Sequence, residues 1–519
     1  MDLLTHPRAR RTTALTLILA LAGPTLGQDA PAPQRTPQDI PVPTDVAGGS
    51  PIELTVGDAL RLGRTNNLAL RADELTSLLR EHDVRIAESV FEPEFFGNTT
   101  VAKTSTPFTN SFQPAIVRKT VSGEFGLRQR ISTGALYELT FSPLRRRQTA
   151  SISGFPSGQY SMVAAATITQ PLLRGGWSGS VMNAVEKAEQ AVAVEHARFD
   201  AQVQTTLLSV VTAYWELVFA RGDWQVNAQA LDLANEQLRI TNERIRVREL
   251  AERDRVFDEA DVARRKESLI RAENEIRRRE DLLRELLFGE RDEKLWSRGI
   301  RPITSLGSEF KAPAEEWTTV AQVALELRPD LIALRSAVKA AELDYDKAAR
   351  DVLPQLDFVG SYSSDGTQAT SIDAWHDVTD LAYPDWSLGL QFSIPIGNSG
   401  ARAARDRALI AVEQARRQLH AAEVTALREV RTALRDLATD SESVRAAQES
   451  VRLAETQLDT ARELLRVGRG TIFEVQQRNQ DLLDARQRLL RNMLDYRIGE
   501  SRLQQVRGLL SVPEPARSK

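Results

Sequence analysis

The sequence predicts a mainly α-helical fold in which long helical hairpins join antiparallel strands that contribute to a β-barrel, the whole built as an internal duplication. Three observations predict it. One proline-free run carries a sustained heptad seam, a second run repeats it, and a strand-rich region with turn residues precedes each.

The clearest run extends from Ile396 to Val512 and is interrupted only at Val467-Gly468-Arg469-Gly470-Thr471. Small and apolar residues recur at Ala404, Ala408, Ala411, Ala415, Leu419, Ala422, Ala426, Val430, Ala433 and Leu437, then from Val444 through Ala447, Val451, Ala454, Leu458 and Ala461 to Leu465. Alternating steps of three and four describe a helix whose seam faces partner helices, with alanine permitting close approach. Gly400 to Val467 is 68 residues. At ~1.5 Å per residue that is a rod roughly 100 Å long, far longer than a globular core needs. Taken alone, the stretch fits a fibrous coiled coil as well.

Composition narrows the class. The chain has 519 residues, and 42% hydrophobic content excludes a mainly disordered protein. Net charge is −4, with 27% charged residues of both signs mixed along the helices, so no basic face for nucleic acid is expected. Cysteine is absent, which excludes disulfides, thiolate metal sites, a cysteine nucleophile and a lipid anchor on an N-terminal cysteine.

In chain order, Arg8, Arg10 and Arg11 precede an apolar run from about Thr12 to Ala22, with small residues at Thr25-Leu26-Gly27 before Gln28. That is a secretory signal peptide over residues 1–27, too short to span a bilayer. Residues 28–53 are rich in proline and read as an extended linker. The first repeat, 54–288, holds a helix from about Val56 to Val90, strands over about 94–170 and a helical hairpin over 177–288. A mixed equatorial segment covers 289–320. The second repeat, 321–510, holds a helix ending at Leu353-Pro354, strands over about 355–394 and a hairpin over 400–510, before a tail at 511–519. Helix, proline, strands, long helix, break and helix thus occur twice, which identifies a duplication. No later segment reads as a transmembrane helix, so entry into a membrane is expected as β-structure.

The strand before Pro395 is the most legible. Trp386, Leu388, Leu390, Phe392 and Ile394 alternate with Ser387, Gly389, Gln391 and Ser393. A half-buried soluble strand alternates in the same way. Export, the long helices and the lack of a globular core to cover the apolar face favour a lipid-facing wall with a polar lumen. Four clear strands, two per repeat, cannot close a barrel with a bore. Oligomerisation follows, and a trimer would supply twelve.

Four motifs then resemble the TolC-like outer-membrane efflux protein family: Arg328-Pro329-Asp330-Leu331 opening a helix, Gln170-Pro171-Leu172-Leu173-Arg174-Gly175-Gly176 and Ile394-Pro395-Ile396-Gly397 at strand-to-helix joins, and Gly468-Arg469-Gly470-Thr471-Ile472-Phe473-Glu474-Val475 at the hairpin. Their duplicated order covers roughly Leu54 to Leu510. The resemblance implies a homotrimer in the outer membrane, with a twelve-stranded β-barrel and a helical barrel in the periplasm. It implies an exit duct for a tripartite efflux pump or type I secretion system, docked at its helical tips on a periplasmic adaptor and through it on an inner-membrane pump. No cofactor is implied. The first tip departs from the pattern, with Glu249 taken as the match to the glycine and Leu250 after it. The first strand region is also longer than two strands require: Leu127 to Phe141, around Ser132-Thr133-Gly134, either extends the barrel or forms an insertion.

Gly468 and Gly470 suit a reversal between helices, and the resemblance makes this turn, with Arg469, Thr471, Glu249 and Leu250, the adaptor-docking tip. Entrance-lining candidates are Glu474, Gln477, Asp254 and Asp258; Glu474 fits a solvated helix carboxylate equally well. Arg328-Pro329-Asp330 is expected simply to start a helix. Trp177, Tyr383 and Trp386 fit an interfacial girdle or ordinary packing. No catalytic constellation is found: His6, His82, His196, His376 and His420 are scattered, and Ser336-Ala337-Val338-Lys339 has no partner motif. A structural periplasmic coiled-coil protein that conducts nothing is the alternative reading.

Overall fold

The computed structural model describes residues 51–106, 116–148, 158–289 and 296–512. The expected signal peptide, most of the linker and most of the C-terminal tail lie outside the described residues. In chain order the elements are β1 (Ile52–Leu54), α1 (Val56–Asn66), α2 (Leu68–Glu88), β2 (Glu94–Thr106), β3 (Ile116–Arg130), β4 (Leu136–Gln148), β5 (Gly158–Pro171), α3 (Ser178–Val181), α4 (Asn183–Arg246) and α5 (Glu252–Leu287). They continue as β6 (Ile300–Pro302), α6 (Trp317–Leu327), α7 (Pro329–Asp351), β7 (Gln355–Gln368), α8 (Ser371–Thr379), β8 (Pro384–Ser393), α9 (Ser399–Arg466) and α10 (Ile472–Val506).

The duplication is visible at the level of caps. Thr55 opens α1 with a capping box, its Oγ1 accepting from Asp58 N at 3.1 Å while the Asp58 carboxylate accepts from Thr55 N at 3.2 Å. Asn67 caps α2, and Pro329 occupies the first turn of α7, where its missing N–H costs nothing. Leu70 and Leu331, each the third residue of its helix, are both buried, and each lies 23 residues before the proline that precedes the next strand, Pro93 or Pro354.

The α9 seam is buried from Ala426 to Ala461, against α10 and α6. At 68 residues the helix is about 100 Å long at ~1.5 Å rise. Its counterpart α4 has 64 residues. By length and composition α4 could cross a membrane, contrary to the sequence reading. Its apolar stretch has another use: Leu207, Val210, Val211 and Leu217 are buried where α4 packs on α1, α5 and α10.

β1 and β6 pair in parallel and bring the start of the first repeat to the segment between the repeats. Tyr214 of α4 pins both, its hydroxyl donating to Leu54 O at 2.9 Å and accepting from Thr304 N at 3.1 Å. A buried network of Arg221, Glu280 and Arg284 ties α4 and α5 to Ile300 and Arg298. Removing one member would strand a buried charge.

The remaining strands form one six-stranded antiparallel sheet in the order β2-β3-β4-β5-β7-β8. Six strands fall within the four or more expected per copy and exceed the four clear strands on which a twelve-stranded trimer is counted. The sheet also settles the Leu127–Phe141 stretch, which supplies β3 and β4 inside the sheet rather than an insertion. The β3–β4 turn is held at the rim: Thr133 O accepts from Trp177 N and from Gln170 Nε2, both at 2.9 Å. Gly134 sits there at φ +89°, and a Cβ would approach Gly175 O within 2.8 Å, so only glycine fits.

Candidate functional site

The candidate residues fall on two surfaces: the faces of the sheet and the turns at the far ends of the long helices. Sheet register follows from alternation, because successive side chains in a strand point to opposite faces. One row of cross-strand partners runs Phe95, Leu127, Leu139, Ala166, Tyr362 and Trp386 over all six strands. The adjacent row, on the other face, runs Glu94, Arg128, Glu138, Thr167, Ser361 and Ser387. In the polar row Arg128 binds Glu94 at 2.8 Å and the Ser361 and Ser387 hydroxyls meet at 2.7 Å. Trp386, Leu388, Leu390 and Phe392 all lie on the apolar face of β8 and are exposed in the single chain; Ile394, also exposed, follows the strand. Near the end of the sheet away from the long helices, α8 lies over the apolar face, with Trp375 edge-on to Phe141 at 5.5 Å. Trp177 stands at the helical end of the sheet, whereas Tyr383 and Trp386 stand at the other, and all three are exposed.

The two helical turns are built alike. At the end of α9, Gly468 takes φ +75°, Gly468 N donates to Leu465 O at 3.1 Å and Arg469 N to Leu464 O at 2.9 Å. At the end of α4, Arg248 takes φ +65°, Arg248 N donates to Ile245 O at 2.9 Å and Glu249 N to Arg244 O at 2.9 Å. These are the bonds of a helix C-terminus closed by a left-handed residue. The register corrects the sequence alignment: Arg248, not Glu249, stands where Gly468 does, Glu249 matches Arg469, and Leu250 matches Gly470.

Each second helix then starts on its own cap. Thr471 Oγ1 accepts from Glu474 N at 3.2 Å, and the Asp254 carboxylate accepts from Ala251 N at 3.2 Å. Asp254 is therefore the structural counterpart of Glu474. Glu474 is exposed beside Arg478 in a groove between α9 and α10 that Leu453 and Leu464 also line. Gln477 donates to Asp481 at 3.1 Å. Asp258 turns toward α4, accepting from the buried Thr241 hydroxyl at 2.6 Å. Among the described residues, no hydrogen bond or ion pair joins these four candidates to one another.

Sequence periodicity passed over one feature. Phe257 is 72% exposed and Phe473 is 74% exposed, just past the two turns, and Val247, Val256 and Val467 beside them are exposed too. Their signal in the sequence is that they fall off the apolar seam.

Arg328 does more than start a helix. Its guanidinium binds Asp330 at 2.8 Å and Glu429 of α9 at 2.7 Å, fixing α7 to α9. Burial pushes Asp330 upward, but the Arg328 hydrogen bond and charge outweigh it and leave the carboxyl below its usual range. Lower on α9, burial holds Asp440 above the usual carboxylate range, and the nearby charges of Asp495 and Asp436 push the same way.

Residues 62–287 and 320–509 match the sequence profile described as outer membrane efflux protein, one stretch for each repeat. The chain belongs to that family. It is an outer-membrane exit duct, and the two matched stretches are the two halves of the duplicated fold. Solved structures share the architecture. The outer membrane channel CmeC of Campylobacter jejuni is 16% identical, with TM-score 0.64 over 89% of this chain and 87% of its own. The open state of the Neisseria gonorrhoeae channel MtrE is 16% identical, with TM-score 0.62 over 93% of this chain and 99% of its own. VceC of Vibrio cholerae is 14% identical, with TM-score 0.62 over 87% of this chain and 96% of its own. No curated protein matches by sequence.

Proposed function

We propose that three copies of this chain close around a common axis into a passive conduit through the outer membrane, with the apolar row of the sheet against lipid and the polar row toward the lumen. The observation that carries this is the row of Phe95, Leu127, Leu139, Ala166, Tyr362 and Trp386 across one face of the six-stranded sheet, with Glu94, Arg128, Glu138, Thr167, Ser361 and Ser387 across the other; Lys103, Lys119 and Arg147 interrupt the apolar face only toward the end away from the long helices. Residues 1–27 direct export, residues 28–53 link to the first repeat, and 289–320 with the C-terminal part form the equatorial belt. The long hairpins extend into the periplasm. A periplasmic adaptor docks at the turns Val247–Ala251 and Val467–Thr471, where Phe257, Phe473 and the neighbouring valines offer exposed apolar anchors of the kind that interfaces bury. An inner-membrane pump couples through that adaptor and supplies the energy. Glu474 and Asp254, each in the first turn of its helix, place carboxylates near the periplasmic entrance.

The test is detergent-dependent migration as a heat-modifiable trimer, followed by conductance in planar bilayers. A conducting trimer is expected. A soluble rod that conducts nothing would replace this reading with that of an envelope tether.

A further inference from the structure

Among the described residues the sheet has two unpaired edges, β2 and β8. The helices beside it are arranged in the same way: α2 packs on α4, α4 on α7 and α7 on α9, which leaves α2 and α9 at the margins. The margins of the two layers coincide, because α2 leads into β2 and β8 leads into α9. Both are apolar. Leu68, Leu75, Leu79 and Ile86 recur along one exposed face of α2, and Leu409 and Ile410 are exposed on the first part of α9.

We infer that the β8–α9 margin of one copy joins the β2–α2 margin of the next, and that the barrel so closed has eighteen strands, six from each of three copies. This rests on the trimeric conduit proposed above and goes beyond it in naming the joining edges and the width of the wall.

Strand direction permits the closure. β2 runs away from the long helices, the six strands alternate, and β8 returns toward them, so β8 meets a neighbouring β2 antiparallel and the ladder continues unbroken. Closure also disposes of two long exposed edges that would otherwise template aggregation. A twelve-stranded wall would need β2 and β3 to leave the sheet. Two features oppose that. Register between β3 and β4 runs from Arg130↔Leu136 to Arg118↔Gln148 with their turn bonded to the rim, and α2 is joined to β2 by only the short Ser89–Phe91 turn and Glu92-Pro93, so displacing the strand would pull on α2 where it packs on α4.

At ~4.8 Å between strands tilted ~40°, eighteen strands close at a diameter of about 36 Å, against about 24 Å for twelve. Four helices per copy at ~9–10 Å spacing make a helical ring of about 36 Å, so the two layers meet at equal width. The β-wall then sets no size limit on cargo, and selection by size falls to the helical tips.

The chain has no cysteine, which makes directed disulfides a clean test. Thr99→Cys, on the apolar face of β2, is combined in turn with Trp386→Cys, Leu388→Cys, Leu390→Cys and Phe392→Cys on that face of β8. A second series uses Leu139→Cys of β4 with the same four. Oxidation is expected to link trimers covalently in at least one register of the Thr99 series and in none of the Leu139 series. Linking through Leu139 would overturn the inference in favour of a twelve-stranded wall, as would failure of every Thr99 pair in a protein that is trimeric and conducts. Failure to trimerise or conduct before any cysteine is introduced would instead remove the conduit reading, and this inference with it.

Discussion

Arg248 and Gly468 hold the same place in the two helical turns, at φ +65° and +75°, with the same hydrogen bonds behind them. Only one is the residue type that this backbone favours. A left-handed conformation costs a side-chain-bearing residue roughly 1 kcal/mol that glycine does not pay. Arg248→Gly is therefore expected to stabilise the first hairpin by about that amount. Gly468→Ala should weaken the second to a similar degree, because no atom lies near enough to clash and the cost is the backbone's alone. Thermal unfolding followed by the helical circular dichroism signal checks both, and equal midpoints for the two variants would contradict the account.

Glu474 is exposed in the first turn of α10 and hydrogen-bonds through its backbone rather than its carboxylate. Three symmetry-related copies would put a ring of negative charge at the entrance. Glu474→Gln should weaken block by multivalent cations added from the tip side in planar-bilayer recordings, and adding Asp254→Asn should weaken it further. Undiminished block in the double variant would take both carboxylates out of the entrance.

Lys103, Lys119 and Arg147 are direct cross-strand neighbours on β2, β3 and β4. Like charges directly opposite destabilise a sheet, by some 0.2–1 kcal/mol per pair. Lys119→Glu turns two repulsive pairs into attractive ones, so the temperature at which detergent-resistant oligomers dissociate should rise. High salt should shrink the gain, since these side chains are exposed. A fall in that temperature would show that the row has a partner outside the chain.

Asp440 carries the opposite sign from a paired carboxylate. Burial, then Asp495 and Asp436, raise its pKa in the folded chain, so folding favours its protonated form. The resulting penalty is absent below the unfolded value, grows as pH rises toward the raised one and is complete above it. Asp440→Asn should thus stabilise the protein at pH 7 and lose that advantage at pH 3, measured as the difference in melting temperature between variant and parent. A gain independent of pH would exclude the carboxylate as its cause.

Much of this architecture is written in short-range patterns. The steps of three and four from Ala426 to Ala461 mark the buried seam of α9, the alternation from Trp386 to Phe392 marks one apolar, exposed face of β8, and the glycines at 468 and 470 mark a reversal. Each depends on neighbours a few residues away, as do caps such as Thr55 and Thr471, so period and turn chemistry suffice to find them. The duplication is legible for the same reason, since two copies of one local order survive separate drift.

Pairing is different, because it joins residues remote in the chain. That β3 and β4 lie within one sheet of six rather than in an insertion depends on Leu127 meeting Leu139 on one side and Phe95 on the other. A strand's own pattern does not name its neighbours. The apolar centre of α4 could equally have faced lipid, and only its packing on α1, α5 and α10 buries it. At the tips, Asp254 and Asp258 look interchangeable in the sequence. The fold separates them, spending one on the Ala251 cap and turning the other toward Thr241, because helix phase and the opposing helix decide where a carboxylate points.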